Sequence, residues 1–167
     1  YAHRGRHPAD MEITLGATKD GEITTCDFKA VSCGGAYASY GVVTAYYFGV
    51  FLPLPYRLQN LRFDTCRIYT NHPPCGPKRG HGAIQPRFAL EVQVDRLAVA
   101  IGMRPDLLRL KNLAPPDSET CNGLTITSNA IAECIEQATA AAGYGEKHGQ
   151  LPNGRGVGLA ASAYMCG

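Results

Sequence analysis

Thr70-Asn71-His72-Pro73-Pro74-Cys75-Gly76-Pro77-Lys78-Arg79-Gly80-His81-Gly82 is the stretch on which the reading of this sequence turns. Positions 71–82 hold three prolines and three glycines, a composition that forbids regular helix or strand. Before it, Leu61–Thr70 reads as a strand with Phe63, Thr65, Arg67 and Tyr69 on one side. After it, Leu90, Val94, Leu97 and Ile101 recur at helical spacing, which predicts an amphipathic helix over residues 86–101. The stretch is therefore a strand-to-helix connection. The backbone amides at the start of such a helix, with the positive end of its dipole, form a cradle for an anion. The glycines let the backbone approach a ligand closely. Lys78 and Arg79 add two adjacent cations, and the Arg79 guanidinium suits bidentate contact with phosphate or an oxo-anion. His81, between two glycines, projects into whatever space the loop lines. The same residues also read as a structural turn whose cations are merely solvated. Neither the G-x-x-x-x-G-K-[ST] loop nor the G-x-G-x-x-G fingerprint is present.

Working outward, Met11, Ile13, Leu15 and Ala17 alternate with polar residues, and Lys19-Asp20-Gly21-Glu22 carries a hairpin signal before Ile23–Ser32 returns as a second strand. Ala36–Tyr56 has no clean period, with helix expected around residues 42–51. Pro105 and Asp106 open a short helix that Asn112 closes. Residues 114–118 read as a linker. Beyond it, Ser128 is expected to cap a helix with Ile131, Ile135, Ala138 and Ala142 on one stripe and Gly143 past its end. Residues 156–167 read as a strand cut short. The fold class is α+β, or mixed α/β.

The bulk numbers exclude more than they establish. Hydrophobic residues make up 45% and charged residues 18%, so a packed core is expected. A net charge of +2 argues against nucleic acid or an anionic membrane as partner. The apolar run Tyr40–Tyr56 contains Pro53 and Pro55 and reads as a buried segment rather than a membrane span. Seven cysteines with no C-x-x-C pair point to reduced, mostly buried thiols rather than a disulfide framework, zinc site or iron–sulfur cluster. No metal ligand is assigned. His3, His7, His72 and His148 lack ligand spacing and read as structural or exposed. Asp95, Glu91 and Glu133 read as solvated helix faces. Tyr37 and Tyr40 read as core, with pocket lining as the alternative, and Cys75 reads as a small buried hydrophobe.

Several separated motifs carry a family resemblance. Thr70-Asn71, then Arg79-Gly80-His81-Gly82 with Gln85 shortly after, resembles the T-N…R-G-F-G-x-P-Q signature of molybdenum hydroxylase large subunits, the xanthine oxidase and aldehyde oxidase family. Gly34-Gly35-Ala36-Tyr37-Ala38-Ser39-Tyr40-Gly41 resembles their glycine-rich segment. Gly5-Arg6-His7-Pro8 resembles their G-R-H-P motif, and residues 108–113 their L-R-x-K-N-L. The resemblance spans essentially all 167 residues in order. His81 stands where most oxidising members carry Phe. The block Pro74–Gly82, with Gln85-Pro86-Arg87-Phe88 and Glu91-Val92-Gln93, resembles the 4-hydroxybenzoyl-CoA reductase branch. So does Lys147-His148-Gly149, followed by Leu151-Pro152 and Gly154-Arg155-Gly156.

The resemblance implies a molybdenum–molybdopterin cofactor, in its cytosine dinucleotide form, contacted by Lys78, Arg79, Gly80, His81 and Gly82. It implies that Arg6 and His81 face the substrate, a CoA thioester or other aromatic. It also implies iron–sulfur and FAD partner subunits in a cytoplasmic hetero-oligomer. Residues 1–114 would be the C-terminal part of the first cofactor-binding domain and 115–167 the start of the second. The family's catalytic glutamate and its Gln-containing glycine loop match nothing here, so no catalytic residue is assigned and the fragment is expected to be inactive alone. Three functions remain open: a reductive dehydroxylase, an oxidative hydroxylase of purines, aldehydes or N-heterocycles, and a non-catalytic anion-binding or assembly module.

Overall fold

The computed structural model describes residues 4–164. Strand β1 (Ala9–Ala17) and strand β2 (Ile23–Cys33) form the expected antiparallel hairpin, with Ile13 opposite Phe28 and Leu15 opposite Cys26. Strand β3 (Asn60–Ile68) joins β2 in parallel, with Phe28 opposite Phe63 and Ser32 opposite Arg67, giving the order β1-β2-β3. Side chains alternate across the sheet, so one face carries Cys26, Phe28 and Ala30 into the core, where Ile23 joins them. The other face leaves Val31 and Ile68 exposed.

Two helices cover the apolar face. Helix α1 (Gly41–Val50) lies over β3. There the Thr65 hydroxyl donates to the Ala45 carbonyl, and the Arg67 guanidinium donates to the carbonyls of Gly34 and Tyr37. Phe63, Thr65 and Arg67 thus share one side, as their alternation predicts. Helix α2 (Ile84–Ala100) packs on β1 and buries Leu90, Val94 and Ala98. Helix α3 (Pro105–Asn112) closes the end of this layer through Leu108. Phe48, Leu52 and Tyr56 are fully buried, so the 40–56 segment is core in its second half, while Tyr40, Val42 and Tyr46 are exposed; among the described residues no helix is long and apolar enough to cross a membrane.

Asn112 does more than end α3. Its Oδ1 accepts the Ile23 amide at 2.8 Å, while its Nδ2 donates to the Gly21 and Leu108 carbonyls, both at 2.8 Å. One buried amide side chain thus pins the hairpin turn to the helix. Asn112→Ala leaves a buried donor and acceptor without partners, and is expected to cost about 2–3 kcal/mol. Hydrogen exchange at the Ile23 amide in the parent polypeptide checks this; unchanged protection would refute it.

The polar segment after residue 114 differs in detail from expectation. It contains a small antiparallel pair, β4 (Ser118–Glu119) and β5 (Thr125–Ile126). Helix α4 (Ile131–Ala142) is not capped by Ser128: the Asn129 Oδ1 accepts the Ile131 amide at 2.9 Å instead. Its inward stripe is Ile131, Ile135, Thr139 and Ala142, and Ala138 is exposed. Gly143 takes the left-handed conformation past the end, as expected, and a one-turn helix α5 (Tyr144–Lys147) follows. Residues 156–164 form no strand, and positions 165–167 lie outside the described residues. A strand needs a neighbour, and here the Ala161 amide donates to the Glu91 carboxylate at 2.8 Å rather than to a backbone carbonyl.

Candidate functional site

Residues 71–82 run irregularly from β3 to α2, as their prolines and glycines require. Gly80 and Gly82 both have φ near +73°, and at Gly82 a Cβ would sit 2.5 Å from the Tyr47 Cβ and 3.0 Å from the Thr44 carbonyl oxygen. Only glycine lets the loop pass this close to α1. Arg79 is exposed, Lys78 half-buried and Gly82 buried.

The chain's beginning folds onto this loop. Arg6 Nη2 donates to the Arg79 carbonyl at 2.9 Å, so two residues singled out separately in the sequence meet. Gly76 N–H donates to the Gly5 carbonyl at 2.9 Å, and Gln85 Nε2 to the His7 carbonyl at 2.9 Å. Arg6 is therefore not a free surface cation; it braces the loop's backbone.

His81 lies half-buried in a wall of rings. Tyr40, Tyr47 and His7 have ring centroids 5.8, 5.8 and 6.4 Å away, and Tyr47 leads on to Phe51 and Tyr164. Its Nε2 is in a short hydrogen bond with the buried Thr44 hydroxyl, which also reaches the Tyr40 carbonyl at 3.4 Å. Burial first, then the Arg6 charge, holds the imidazole below its ordinary value, so the ring is neutral at neutral pH. A neutral imidazole stacks on aromatic groups and accepts hydrogen bonds.

Three sequence readings do not survive in the structure. Tyr37 and Tyr40 are 71% and 57% exposed, so they are not core; the glycine-rich segment carries them on a turn outside the sheet. His7, by contrast, is fully buried beneath the loop, in keeping with its structural reading. Glu91 is not solvated: it is buried and accepts hydrogen bonds from Tyr56 and Arg109. Asp95 is half-exposed but pairs with Arg109 at 2.7 Å, and only Glu133 keeps a solvated face, where it holds Gln137. The thiols are not mostly buried either. Cys26 and Cys75 are buried, whereas Cys66, Cys121 and Cys134 are exposed; His3 and Cys166 lie outside the described residues. His72 and His148 stand at the surface or half-exposed, in keeping with their reading. Thr44 is the site residue that sequence missed, its only signal being the nearby glycine-rich motif; His7 was visible inside the G-R-H-P motif, but its place against His81 was not.

Burial first, then the Arg67 and His81 charges, pushes His7 down to about 4. The unfolded chain takes up this proton near pH 6.5, the folded chain only near pH 4, so stability falls as the pH drops through that window. At about 1.4 kcal/mol per pH unit, the full loss is roughly 3 kcal/mol. His81 adds in the same direction. Denaturant midpoints between pH 7 and pH 4 should fall in the wild type and fall less in His7→Gln; identical profiles would refute the assignment.

Comparison with known proteins fits this geometry. The family model for the molybdopterin cofactor-binding domain matches residues 1–113. The nicotinate dehydrogenase large molybdopterin subunit of Eubacterium barkeri is 34% identical over 134 residues, covering 80% of this chain and 32% of that protein. The xanthine dehydrogenase molybdenum-binding subunit of Escherichia coli is 30% identical over 169 residues, covering 98% of this chain and 22% of that one. The solved aldehyde oxidoreductase from Desulfovibrio gigas superposes with a TM-score of 0.77 at 29% identity, over 81% of this chain and 15% of that one. The chain thus spans a third or less of the length of these relatives. With the family match over residues 1–113 and the shared fold, this chain belongs to the molybdopterin-binding domain family of the xanthine dehydrogenase and aldehyde oxidoreductase type, whose members are molybdenum-dependent oxidoreductases.

Proposed function

We propose that this chain is part of the molybdenum-binding subunit of a 4-hydroxybenzoyl-CoA reductase, which removes the phenolic hydroxyl to give benzoyl-CoA in anaerobic aromatic degradation. The observation that carries this reading is His81: a neutral imidazole, braced by Thr44 and ringed by aromatic side chains, where a hydroxylase of the family would have phenylalanine. The residue block 74–82 and its continuation through Gln93 support the same branch.

The residues present fit a pterin-phosphate ligand. Gln85 Oε1 and His7 Nε2 are buried and have no hydrogen-bond partner among the described residues, an arrangement suited to a polar heterocycle. Lys78, Arg79, Gly80, His81 and Gly82 would hold the group, the guanidinium and loop amides meeting its anionic part. When bound, the molybdenum cofactor supplies the two-electron redox chemistry. Arg6 fixes the Arg79 backbone, and His81 walls the substrate side. The neutral ring accepts the phenolic hydroxyl through Nδ1, its Nε2 being engaged by Thr44. In the net reaction a carbon–oxygen bond is replaced by carbon–hydrogen, with two electrons and two protons consumed and water released.

In this reading residues 1–114 close the first cofactor-binding domain and 115–167 begin the second. The parent is a cytoplasmic hetero-oligomer with iron–sulfur and FAD subunits and a cytosine dinucleotide cofactor. The catalytic glutamate lies elsewhere in the parent, so this segment has no activity alone. A second reading, an oxidative hydroxylase, is favoured by relatives named nicotinate dehydrogenase and xanthine dehydrogenase.

The intact parent complex, given 4-hydroxybenzoyl-CoA and a low-potential donor without oxygen, should form benzoyl-CoA. Failure to do so rejects the reading. Hydroxylation of an N-heterocycle or aldehyde with oxygen drawn from labelled water would establish the second one. Acid extraction of the cofactor should release a cytosine nucleotide.

A further inference from the structure

Two thiols stand together at the foot of the Arg79 loop, apart from the residues assigned to the cofactor. Cys33 ends β2 and Cys75 lies in the loop's first leg. Their segments are laced by three backbone hydrogen bonds, each 3.1 Å: Thr70 N–H to the Gly35 carbonyl, Ala36 N–H to the His72 carbonyl, and Cys75 N–H to the Gly34 carbonyl. Gly35 makes this approach possible. Its φ is +73°, and a Cβ there would lie 2.3 Å from the Pro73 carbonyl oxygen.

The environments of the two sulfurs differ. Cys33 Sγ is half-exposed, 3.0 Å from the Thr70 hydroxyl and 3.8 Å from His72 Nδ1. The Thr70 hydrogen bond above all, with the Gly35 amide and His72 adding to it, holds this thiol below its ordinary value against the effect of burial. Cys75 is buried, and burial followed by the neighbouring Cys33 sulfur pushes its thiol up. One sulfur is thus accessible and stabilised as thiolate, and beside it sits a buried protonated thiol. This asymmetry marks an attacking and a resolving partner.

We propose that Cys33 and Cys75 form a hydroperoxide-reactive dithiol, in which Cys33 is the site of oxidation and Cys75 resolves it to a disulfide that ties the foot of the Arg79 loop to the end of β2. The Cys33 thiolate attacks one oxygen of the hydroperoxide. A sulfur–oxygen bond forms, the oxygen–oxygen bond breaks, and the other oxygen leaves as alcohol or water with the proton Cys33 gave up. The Cys75 sulfur then attacks the Cys33 sulfenic acid. A sulfur–sulfur bond forms, the sulfur–oxygen bond breaks, and the hydroxyl leaves as water with the Cys75 proton. The two thiols lose two electrons and the hydroperoxide gains two.

The test treats the reduced, intact parent protein with one equivalent of hydrogen peroxide, alkylates the remaining thiols and maps peptides without reduction. The expected first product is a Cys33–Cys75 linkage. Cys33 should also alkylate about ten-fold faster than the exposed Cys66, Cys121 and Cys134, which serve as internal standards. In Cys75→Ser the linkage is lost and Cys33 sulfenic acid accumulates, trapped by dimedone. If that variant does not fold, the wild-type ranking decides alone. Equal reactivity of Cys33 and the exposed thiols, or a first disulfide between other cysteines, overturns the proposal.

Discussion

Arg109→Ala is expected to destabilise the fold by about 3–5 kcal/mol, more than Asn112→Ala. Arg109 has no exposed surface at all. Its Nε donates to Glu91 Oε2 at 2.8 Å, its Nη1 to Asp95 Oδ1 at 2.7 Å and to the Pro105 carbonyl at 3.1 Å, and its Nη2 to the Glu91 carbonyl at 3.2 Å. Burial works against the charge on Arg109, and the Glu91 carboxylate, Tyr56 and Asp95 outweigh it, so the guanidinium is held above its ordinary value. Glu91 in turn accepts Tyr56 Oη–H at 2.7 Å and the Ala161 amide at 2.8 Å. Burial, then the Glu91 charge, pushes the Tyr56 phenol up, so it stays protonated and donating. One ion pair therefore joins α2, α3, the end of the 40–56 segment and the chain beyond residue 156. Removing the arginine strands a buried carboxylate whose remaining donors cannot neutralise it. Arg109→Met with Glu91→Met should recover part of the loss, because the buried pair is removed together, though Tyr56 and Ala161 lose their acceptor, Asp95 its partner and the buried Arg87 the carboxylate charge that favours it. Hydrogen exchange across α2 and α3 in the parent polypeptide reads both variants. A loss below about 1 kcal/mol for Arg109→Ala would mean that the network contributes nothing beyond packing.

This network also shows where sequence reading stops. Glu91 lies on an amphipathic helix, and a carboxylate in that setting is solvated unless a cation approaches from another element. That cation sits eighteen positions along the chain, on α3, and only the turn at 101–104 brings it back. Local patterns were legible. The alternation from Met11 to Ala17 with Asp20-Gly21 defines the hairpin, and the spacing of Leu90, Val94 and Leu97 defines α2, because period and turn chemistry are properties of neighbouring residues. The parallel docking of β3 on β2 was not legible, since it depends on what α1 covers between them. Arg6 and the Arg79 loop were each visible as motifs, but their contact across 73 positions, with His7 sealed beneath it, belongs to the tertiary fold. The helix start expected at Ser128 failed for a smaller reason: Ala130 takes the N-cap position, and the Asn129 Oδ1 just before it accepts the Ile131 amide.

On the proposed reductive reading, His81→Phe should lower benzoyl-CoA formation by the parent complex by about a hundred-fold or more, the range expected when a positioned proton-handling group is lost. Phenylalanine keeps the ring among Tyr40, Tyr47 and His7 but removes both nitrogens. The Thr44 hydroxyl then loses its ring partner, and a phenolic substrate finds no acceptor. Cofactor content should stay unchanged, because in the proposed cradle position 81 contributes its backbone amide and Gly80 and Gly82 keep their left-handed conformation. Arg79→Ala gives the opposite pattern, with cofactor content falling along with activity. Thr44→Val separates positioning from packing. It frees the imidazole to rotate and should lower kcat more than it raises KM, and Thr44→Ser should restore most of the rate. The pH profile supplies an independent readout. Since burial and Arg6 hold His81 below its ordinary value, the rate should fall only on the acid side, as the ring takes up the proton that prevents it from accepting one, and this limb should vanish in His81→Phe. Full benzoyl-CoA formation by His81→Phe would remove the imidazole from the reaction. The ring wall would then be a packing device, and the reductive branch would lose the residue on which it rests.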